Sequence, residues 1–329
     1  MKQVWASLGG HYWTLAPFFD RELRARRRAL AAPHALPWRM EVPDPDLGSV
    51  RVTGRLHAPP GAQRCILLIH GLGGNCLSSY LGGVVLTAWA HQIACLCINL
   101  RGADGLGEDF YHAALTADLH AALASPELAP YRELYVVGFS LGGHLTLRLA
   151  TEAHDARLRA VAAICAPLDL QRSQAALDAR RRLAYRQYVL RRLKASYAAL
   201  AARRPPPTPL DRVLRVNEIR EWDELTVVPR FGFGSPAEYY RRASVAPQLG
   251  SLRLPALLVQ TENDPMVTAA SVRPALGATL PLLDVRWQPK GGHVGFPPAL
   301  DLGQAAPLGL APQVLSWLTA HAPGACTRP

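Results

Sequence analysis

The sequence predicts an α/β fold in which a mostly parallel central sheet carries an N-terminal antiparallel hairpin and a helical cap insertion. Short continuous apolar runs recur along the chain, as expected for strands that helices cover on both faces. Helical patterns separate these runs, and an alternation of strands and helices favours parallel pairing. Residues 169–234 contain no strand pattern, which predicts a helical insertion after the sixth strand.

The individual elements are predicted in chain order. Residues 38–57 alternate in polarity around a Pro-Asp-Pro-Asp-Leu-Gly turn, which predicts the hairpin. Further strands are predicted at residues 65–69, 93–98, 134–137, 160–164, 256–259 and 282–289. Helices are predicted at residues 78–91, 111–124, 141–153 and 311–321, and one or two more over residues 175–202, before a Pro-Pro-Pro breaker.

The domain organisation follows from these patterns. We expect a core made of residues 38–168 and 235–322, with residues 169–234 as the cap. Residues 1–37 are expected to form an extension that packs on the core, and residues 323–329 a tail. Alternatively, residues 169–234 form an extra pair of helices that packs on the core and does not control access to a site.

Composition and charge exclude several classes of protein. The 329 residues are 49% hydrophobic and 19% charged, which rules out a disordered chain or a coiled coil. The net charge is +11, and the stretch from Arg172 to Arg204 holds ten basic residues and one acidic residue. No nucleic-acid-binding motif surrounds this stretch, so we expect a solvated helix face and no nucleic-acid partner.

The cysteines and the apolar runs indicate a cytoplasmic protein. Four of the six cysteines lie in apolar runs, and their spacing matches no zinc site. They are Cys65, Cys95, Cys97 and Cys165. We therefore expect buried free thiols and no metal. The first 20 residues lack a signal-peptide pattern, and no apolar run approaches the roughly 20 residues that span a bilayer.

A candidate nucleophile lies in the segment G-F-S-L-G, from Gly138 to Gly142. The segment follows an apolar strand directly and precedes a helix, which is the context of a nucleophile elbow. Ser140 would then lie on a strained turn, where a side chain at residue 138 or 142 would clash with neighbouring backbone. A plain tight turn is the alternative.

A serine hydroxyl needs a base, and the base must be held by a third group. In this arrangement the expected chain order is serine, acid, histidine. His293 lies in K-G-G-H-V-G-F just after the last strand, where two glycines let the loop turn over the sheet edge. His293 is therefore the predicted base, whereas His321 lies in the last helix near the tail.

The acid is expected after the penultimate strand. Asp264 lies a few residues beyond that strand and precedes a proline that restricts the backbone. Glu262 is a nearby alternative. Asp169 is another alternative, because in some catalytic triads the acid follows the strand before the penultimate one. We predict Asp264.

The backbone N–H groups of Leu72 and Leu141 are the predicted oxyanion hole. Leu141 opens the helix after Ser140, and Leu72 lies in the glycine-rich loop H-G-L-G-G-N. His70 is expected to brace this loop rather than to catalyse. A phosphate-binding loop is rejected because no Gly-Lys-Ser/Thr ending follows.

The chain resembles the YheT-like α/β-hydrolases over most of its length. The shared blocks are G-G-H-Y-W-T, H-G-L-G-G-N, R-G-A-D, G-F-S-L-G-G-H, W-D-E-L-T-V-V-P-R-F-G-F, A-E-Y-Y-R-R-A-S, N-D-P-M and G-G-H-V-G-F. The resemblance implies the α/β-hydrolase fold and a serine hydrolase of acyl esters that uses Ser140, Asp264 and His293. The helical stretch before Trp222 matches the family least.

The expected function is hydrolysis of short- to medium-chain carboxylic esters through an acyl-enzyme intermediate, without a cofactor. One alternative is an acyltransferase that uses the same intermediate, and another is a hydrolase scaffold used only for binding. A third is a lipid-ester hydrolase at a membrane surface, because five aromatic residues and several arginines lie within residues 5–28. That segment is instead expected to pack over the sheet and brace the site. The oligomeric state stays open.

Overall fold

The computed structural model describes residues 2–19, 35–153, 155–277 and 279–321, with the side chains of the first helix at residues 8–16. The strands are β1 (Ala35–Asp44), β2 (Gly48–His57), β3 (Arg64–Ile69), β4 (Ile93–Asn99), β5 (Glu133–Phe139), β6 (Leu158–Ile164), β7 (Ala256–Thr261) and β8 (Leu283–Gln288). The first helices are α1 (Lys2–Phe19), α2 (Ser79–Ala90), α3 (Ala117–Leu123), α4 (Leu141–Glu152), α5 (Leu170–Asp178) and α6 (Leu183–Ala201). They are followed by α7 (Leu210–Leu214), α8 (Ile219–Leu225), α9 (Val227–Phe231), α10 (Pro236–Ala243), α11 (Ala269–Val272) and α12 (Leu310–Thr319).

The eight strands form one sheet in the order β1-β2-β4-β3-β5-β6-β7-β8. β1 and β2 form the predicted hairpin, in which Asp44 pairs with Gly48. β2 pairs with β4 in the antiparallel sense, whereas all further pairs are parallel. The predicted mostly parallel sheet with an N-terminal antiparallel hairpin is therefore confirmed.

Apolar side chains of the central strands point alternately into two core layers. In β3, Ile66 and Leu68 pack with α2 and α12 on one face of the sheet. Leu67 and Ile69 pack on the other face with α4 and the helices that follow β6. Both faces are covered, which explains why these strands are apolar throughout rather than alternating.

One helix prediction differs from the structure, and another is resolved between its two alternatives. The helix expected over residues 111–124 begins only at Ala117, because the Ala113 N–H donates to the Tyr239 hydroxyl and Tyr111 contacts Gly73. These tertiary partners replace the hydrogen bonds of a first helical turn. Of the one or two helices expected over residues 175–202, the structure has two, α5 and α6, which are separated by a break after Asp178.

A buried cluster of ion pairs joins the hairpin to the helices after β6. Arg101 contacts Asp118 at 2.6 Å, Asp44 at 2.7 Å and Asp109 at 3.0 Å. Arg230 on α9 contacts Asp44 at 3.0 Å and Asp109 at 2.9 Å. Each buried carboxylate in this cluster thus has a guanidinium partner, as buried charges require.

Some predictions lie outside the described residues. They concern the arginines of residues 21–28, the side chains of Trp5, Phe18 and Phe19, and the tail after residue 321. Among the helices that are described, none is both long and apolar enough to cross a bilayer. Cys65, Cys76, Cys95, Cys97 and Cys165 are buried free thiols.

Candidate active site

Ser140 lies on a strained turn between β5 and α4. Its φ is 54° and its ψ is −120°, a conformation that is rare for a residue with a side chain. A Cβ at Gly138 would overlap Thr146 and the carbonyl of Gly142, and one at Gly142 would overlap the carbonyls of residues 69 and 70. The two glycines therefore permit the turn that raises Ser140 above the sheet.

Ser140, His293 and Asp264 form a chain of hydrogen bonds. His293 Nε2 lies 3.0 Å from Ser140 Oγ, and His293 Nδ1 lies 2.8 Å from Asp264 Oδ2. Because a carboxylate only accepts, Nδ1 carries the proton and donates to Asp264. Nε2 is then free to accept the hydroxyl proton of Ser140. The structure thus brings together the three side chains that the sequence singled out.

Two backbone N–H groups orient the carboxylate of Asp264. Its Oδ1 accepts from Met266 N at 2.7 Å and from Val267 N at 2.9 Å, which turns Oδ2 towards His293. The competing acids lie elsewhere. Glu262 pairs with Arg273 at 2.5 Å, and Asp169 caps α5 by accepting from the N–H of residue 172 at 3.0 Å.

The loop after β3 approaches Ser140 closely. A Cβ at Gly71 would lie 2.9 Å from the Cβ of Ser140, so only glycine fits there. The flanking N–H groups have acceptors: Gly71 donates to Tyr80, Gly73 to Tyr111 and Gly74 to the carbonyl of residue 71. The N–H groups of Leu72 and Leu141 have no acceptor within the described part of the chain.

His70 braces this loop, as expected. Its Nε2 accepts from the Leu100 N–H at 3.1 Å, so Nδ1 carries the proton and donates to the Gly71 carbonyl at 2.8 Å. Burial lowers the pKa of His70 to about 4, which keeps the ring neutral at physiological pH. A neutral imidazole is what this pair of partners requires.

Thr14 on α1 is a residue of the site that sequence reasoning did not single out. Its hydroxyl accepts the backbone N–H of His293 at 2.8 Å and donates to the Gly10 carbonyl at 2.7 Å. A side chain at Gly10 would overlap the Asn263 carbonyl, and one at Gly292 would overlap α1. The block G-G-H-Y-W-T could have pointed to this residue, because Thr14 follows two glycines by about one helical turn.

The side chain of Cys165 lies close to His293. The backbone of Cys165 is in the left-handed conformation, with φ at 51°. Its thiol and the side chains of Asp264 and His293 place ligand-type atoms within 4.8 Å of one another. A metal would need the thiolate, yet burial raises the pKa of Cys165 well above its usual value. Asp264 and His293 are already bound to each other, so these residues fit a hydrogen-bonded chain better than a metal site.

Basic residues between 172 and 204 bind backbone carbonyls of the protein itself. Six do so, namely Arg182, Arg186, Arg192, Lys194, Arg203 and Arg204. Arg182 reaches the carbonyl of Pro265 at 2.6 Å, and Arg192 reaches the carbonyl of Gly73. The expectation of a solvated face is wrong for Arg182, Arg186 and Arg192, which are at least partly buried, whereas Arg203 is exposed. Of these, Arg182 and Arg192 contact two loops of the site.

Ser140 and His293 open into a large, mostly apolar cavity. Its volume is about 1160 Å³, somewhat above the roughly 300–1,000 Å³ that is typical of ligand pockets. The helices that follow β6 supply much of its wall, including Leu177, Val189 and Trp222. The Ser140 hydroxyl, hydrogen-bonded to His293, therefore faces a mostly apolar space.

Known proteins share this fold. A family model described as the alpha/beta hydrolase fold matches residues 64–299. This chain belongs to the α/β-hydrolase fold family. The fold that the sequence resemblance implied is thereby confirmed.

Individual relatives of this α/β-hydrolase are more distant. YheT of Escherichia coli K12, named as a candidate esterase, is 28% identical over 78% of this chain and 77% of its own length. The monoacylglycerol lipase of Saccharomyces cerevisiae is 24% identical over 71% of this chain and 55% of the lipase. The predicted resemblance to YheT-like α/β-hydrolases is confirmed.

A solved esterase of Pyrococcus furiosus superposes on this α/β-hydrolase with a TM-score of 0.52. The superposition covers 80% of this chain and 85% of the esterase, at 15% identity. At that level of identity the likeness supports the fold alone.

Proposed function

We propose that this α/β-hydrolase is a serine esterase that cleaves carboxylic esters of short to medium acyl chain length through an acyl-enzyme intermediate. The observation that carries the proposal is the position of Ser140 Oγ, 3.0 Å from His293 Nε2 and facing an apolar cavity. The relatives named as esterase and lipase are consistent with ester hydrolysis.

The proposed mechanism assigns one role to each group of the site. His293 accepts the proton of Ser140 while the hydroxyl oxygen attacks the ester carbonyl, and Asp264 stabilises the imidazolium that forms. The N–H groups of Leu72 and Leu141 stabilise the negative charge on the carbonyl oxygen. His293 then protonates the leaving alcohol and activates the water that releases the acid. Residues 169–234 act as the cap that closes the cavity over the substrate.

Labelling with a fluorophosphonate and turnover of a p-nitrophenyl ester series test the proposal. Ser140→Ala should abolish labelling and lower turnover at least about 10³-fold, because the members of a triad act as a unit. Ser196→Ala is the matched control, since Ser196 lines the same cavity. Normal turnover by a folded Ser140→Ala variant would contradict the mechanism.

A second candidate function is ester hydrolysis at an anionic lipid surface. Leu8, Tyr12 and Leu15 recur at helical spacing on α1 and are 53%, 62% and 44% exposed. His11 on the same helix contacts Tyr185 of α6 at 2.6 Å, which places this face beside the basic segment.

Three arginines in or next to α6 favour an anionic surface. Arg180, Arg181 and Arg191 are exposed, and Arg181 lines the cavity together with Leu15. Replacing Arg180 and Arg191, which do not line the cavity, by Gln should weaken binding to phosphatidylglycerol vesicles at low salt and leave hydrolysis of a neutral soluble ester unchanged. Phosphatidylcholine vesicles are the control. Equal binding of the wild-type protein and the variant to phosphatidylglycerol and phosphatidylcholine vesicles would exclude this second function.

A further inference from the structure

A carboxyl group lies in the wall of the cavity among apolar side chains. Asp223 on α8 is 7% exposed and lines the same cavity as Ser140 and His293. Ile219, Trp222 and Val227 line the cavity beside it in sequence. In a mostly apolar ligand pocket, the few polar groups determine how a ligand is oriented.

One oxygen of this carboxyl has a partner in the protein. The Tyr240 hydroxyl on α10 donates to Asp223 Oδ2 at 2.7 Å. Asp223 Oδ1 has no hydrogen-bond partner among the residues that the structure describes. Asp223 Oδ1 is not among the fully buried unpaired atoms, so it keeps some exposure in the wall of the cavity. In a mostly apolar pocket, a ligand group that hydrogen-bonds to such an oxygen gains affinity and a fixed orientation.

The surroundings of Asp223 disfavour its charged form. Burial raises the pKa of Asp223 to about 7, the negative charge of Asp178 on α5 adds to that, and the Tyr240 hydroxyl opposes it. Tyr239 also faces the group, and burial keeps its hydroxyl protonated. Near neutral pH much of the carboxyl is therefore uncharged, and an uncharged carboxyl both donates and accepts hydrogen bonds.

We propose that Asp223 is a specificity-determining residue, and that it binds a hydroxyl group carried by the apolar chain of the ester that fills the cavity. This inference rests on the proposed esterase function. A hydroxyl complements the carboxyl because it also donates and accepts. A negatively charged substrate group would be repelled by Asp178 and by the charged fraction of Asp223, and an ammonium would require the charged carboxylate that burial disfavours.

The test compares plain and terminally hydroxylated p-nitrophenyl esters over a range of acyl chain lengths. A second arm compares butyrate esters of alkanols with those of the matching alkanediols, in case the alcohol fills the cavity. At one chain length the wild-type protein should prefer the hydroxylated ester by about tenfold in kcat/KM, the effect of one hydrogen bond.

Variants assign this preference to Asp223. Asp223→Leu should abolish the preference, whereas Asp223→Asn should retain it in part because an amide also donates and accepts. Glu224→Leu is the matched control, since Glu224 is the neighbouring carboxylate on α8 and is exposed. A purely structural role would lower the turnover of plain and hydroxylated esters equally and leave their ratio unchanged.

The outcomes separate this inference from the proposed function. A wild-type ratio near one at every chain length in both arms overturns the role of Asp223, and this result needs no variant. An unchanged ratio in folded Asp223→Leu overturns it as well. Absence of hydrolysis for every ester would instead overturn the proposed esterase function.

Discussion

The hydroxyl of Thr14 accepts the backbone N–H of His293 at 2.8 Å, although the two residues lie 279 positions apart in the chain. Through this bond the N-terminal helix holds the loop that carries the proposed base. The Gly10 carbonyl accepts the Thr14 hydroxyl in turn, so the rotamer of Thr14 is determined. The helix is thereby part of the support of the site rather than an appendage.

Thr14→Val should lower kcat about tenfold on a soluble neutral ester. Valine keeps the shape of threonine but leaves the buried N–H of His293 without an acceptor, which costs about 1–3 kcal/mol. Thr14→Ser retains the hydroxyl and should keep most of the activity. Steady-state kinetics with a thermal melt of each variant measures this. Equal losses in both variants would mean that the hydroxyl does not matter.

Asp264→Asn should lower turnover about 10²–10⁴-fold, because the carboxylate sets the tautomer of the imidazole and stabilises its charged form. Asp169→Asn and Glu262→Gln should have little effect, since those carboxylates contact residue 172 and Arg273 instead. kcat/KM of the three purified variants decides between them. A large loss in either control with full activity in Asp264→Asn would reverse the assignment of the acid.

Arg192→Gln should lower kcat about tenfold, because the Arg192 guanidinium donates to the carbonyl of Gly73 in the proposed oxyanion loop. Arg191→Gln is the matched control, since the neighbouring side chain is exposed. Turnover of a neutral ester at high salt removes general electrostatic effects from the comparison. Equal losses of activity in both variants would mean that the loss of a positive charge, rather than the hydrogen bond to the Gly73 loop, lowers kcat.

Asp44→Asn should destabilise the protein at neutral pH by about 1.5–3 kcal/mol, because Asp44 accepts hydrogen bonds from two guanidinium groups. Asp46→Asn is the control: Asp46 also pairs with Arg230 but is 66% exposed, so the loss should stay below about 1 kcal/mol. Urea unfolding measures both. A larger loss for the control would contradict the importance of burial.

The effect of Asp44→Asn should also depend on pH. Burial by itself raises the pKa of Asp44, but hydrogen bonds and charge from Arg101 and Arg230 outweigh it and lower the pKa below its usual 3.8. The stabilisation is therefore complete above that value and is lost as the pH falls through the lower native pKa. The difference between wild type and variant should shrink below about pH 4. A constant difference down to pH 2 would show that the native pKa of Asp44 is not lowered.

Local patterns in the sequence were sufficient for most strands, for the hairpin at residues 38–57 and for the turn at Ser140. Continuous apolar runs predict strands that are buried on both faces, and this depends on nothing distant. The elbow is equally local, because Gly138 and Gly142 exclude side chains within one turn of Ser140. The order of serine, acid and histidine along the chain further reduced the candidates to a few residues.

Only the tertiary structure decided which of the candidate acids contacts His293, where the helix near residue 117 begins, and what the arginines of α6 bind. Sequence patterns favoured Asp264 over Glu262 and Asp169, and in the structure the 2.8 Å distance from Asp264 Oδ2 to His293 Nδ1 separates it from the other two. The block G-G-H-Y-W-T could point to Thr14, but no local pattern could show that Thr14 accepts the N–H of His293, because that bond depends on α1 packing against a loop near the other end of the chain. The physical reason is that burial and turn geometry act between neighbours in sequence, whereas hydrogen-bond partners are chosen by which surfaces pack together.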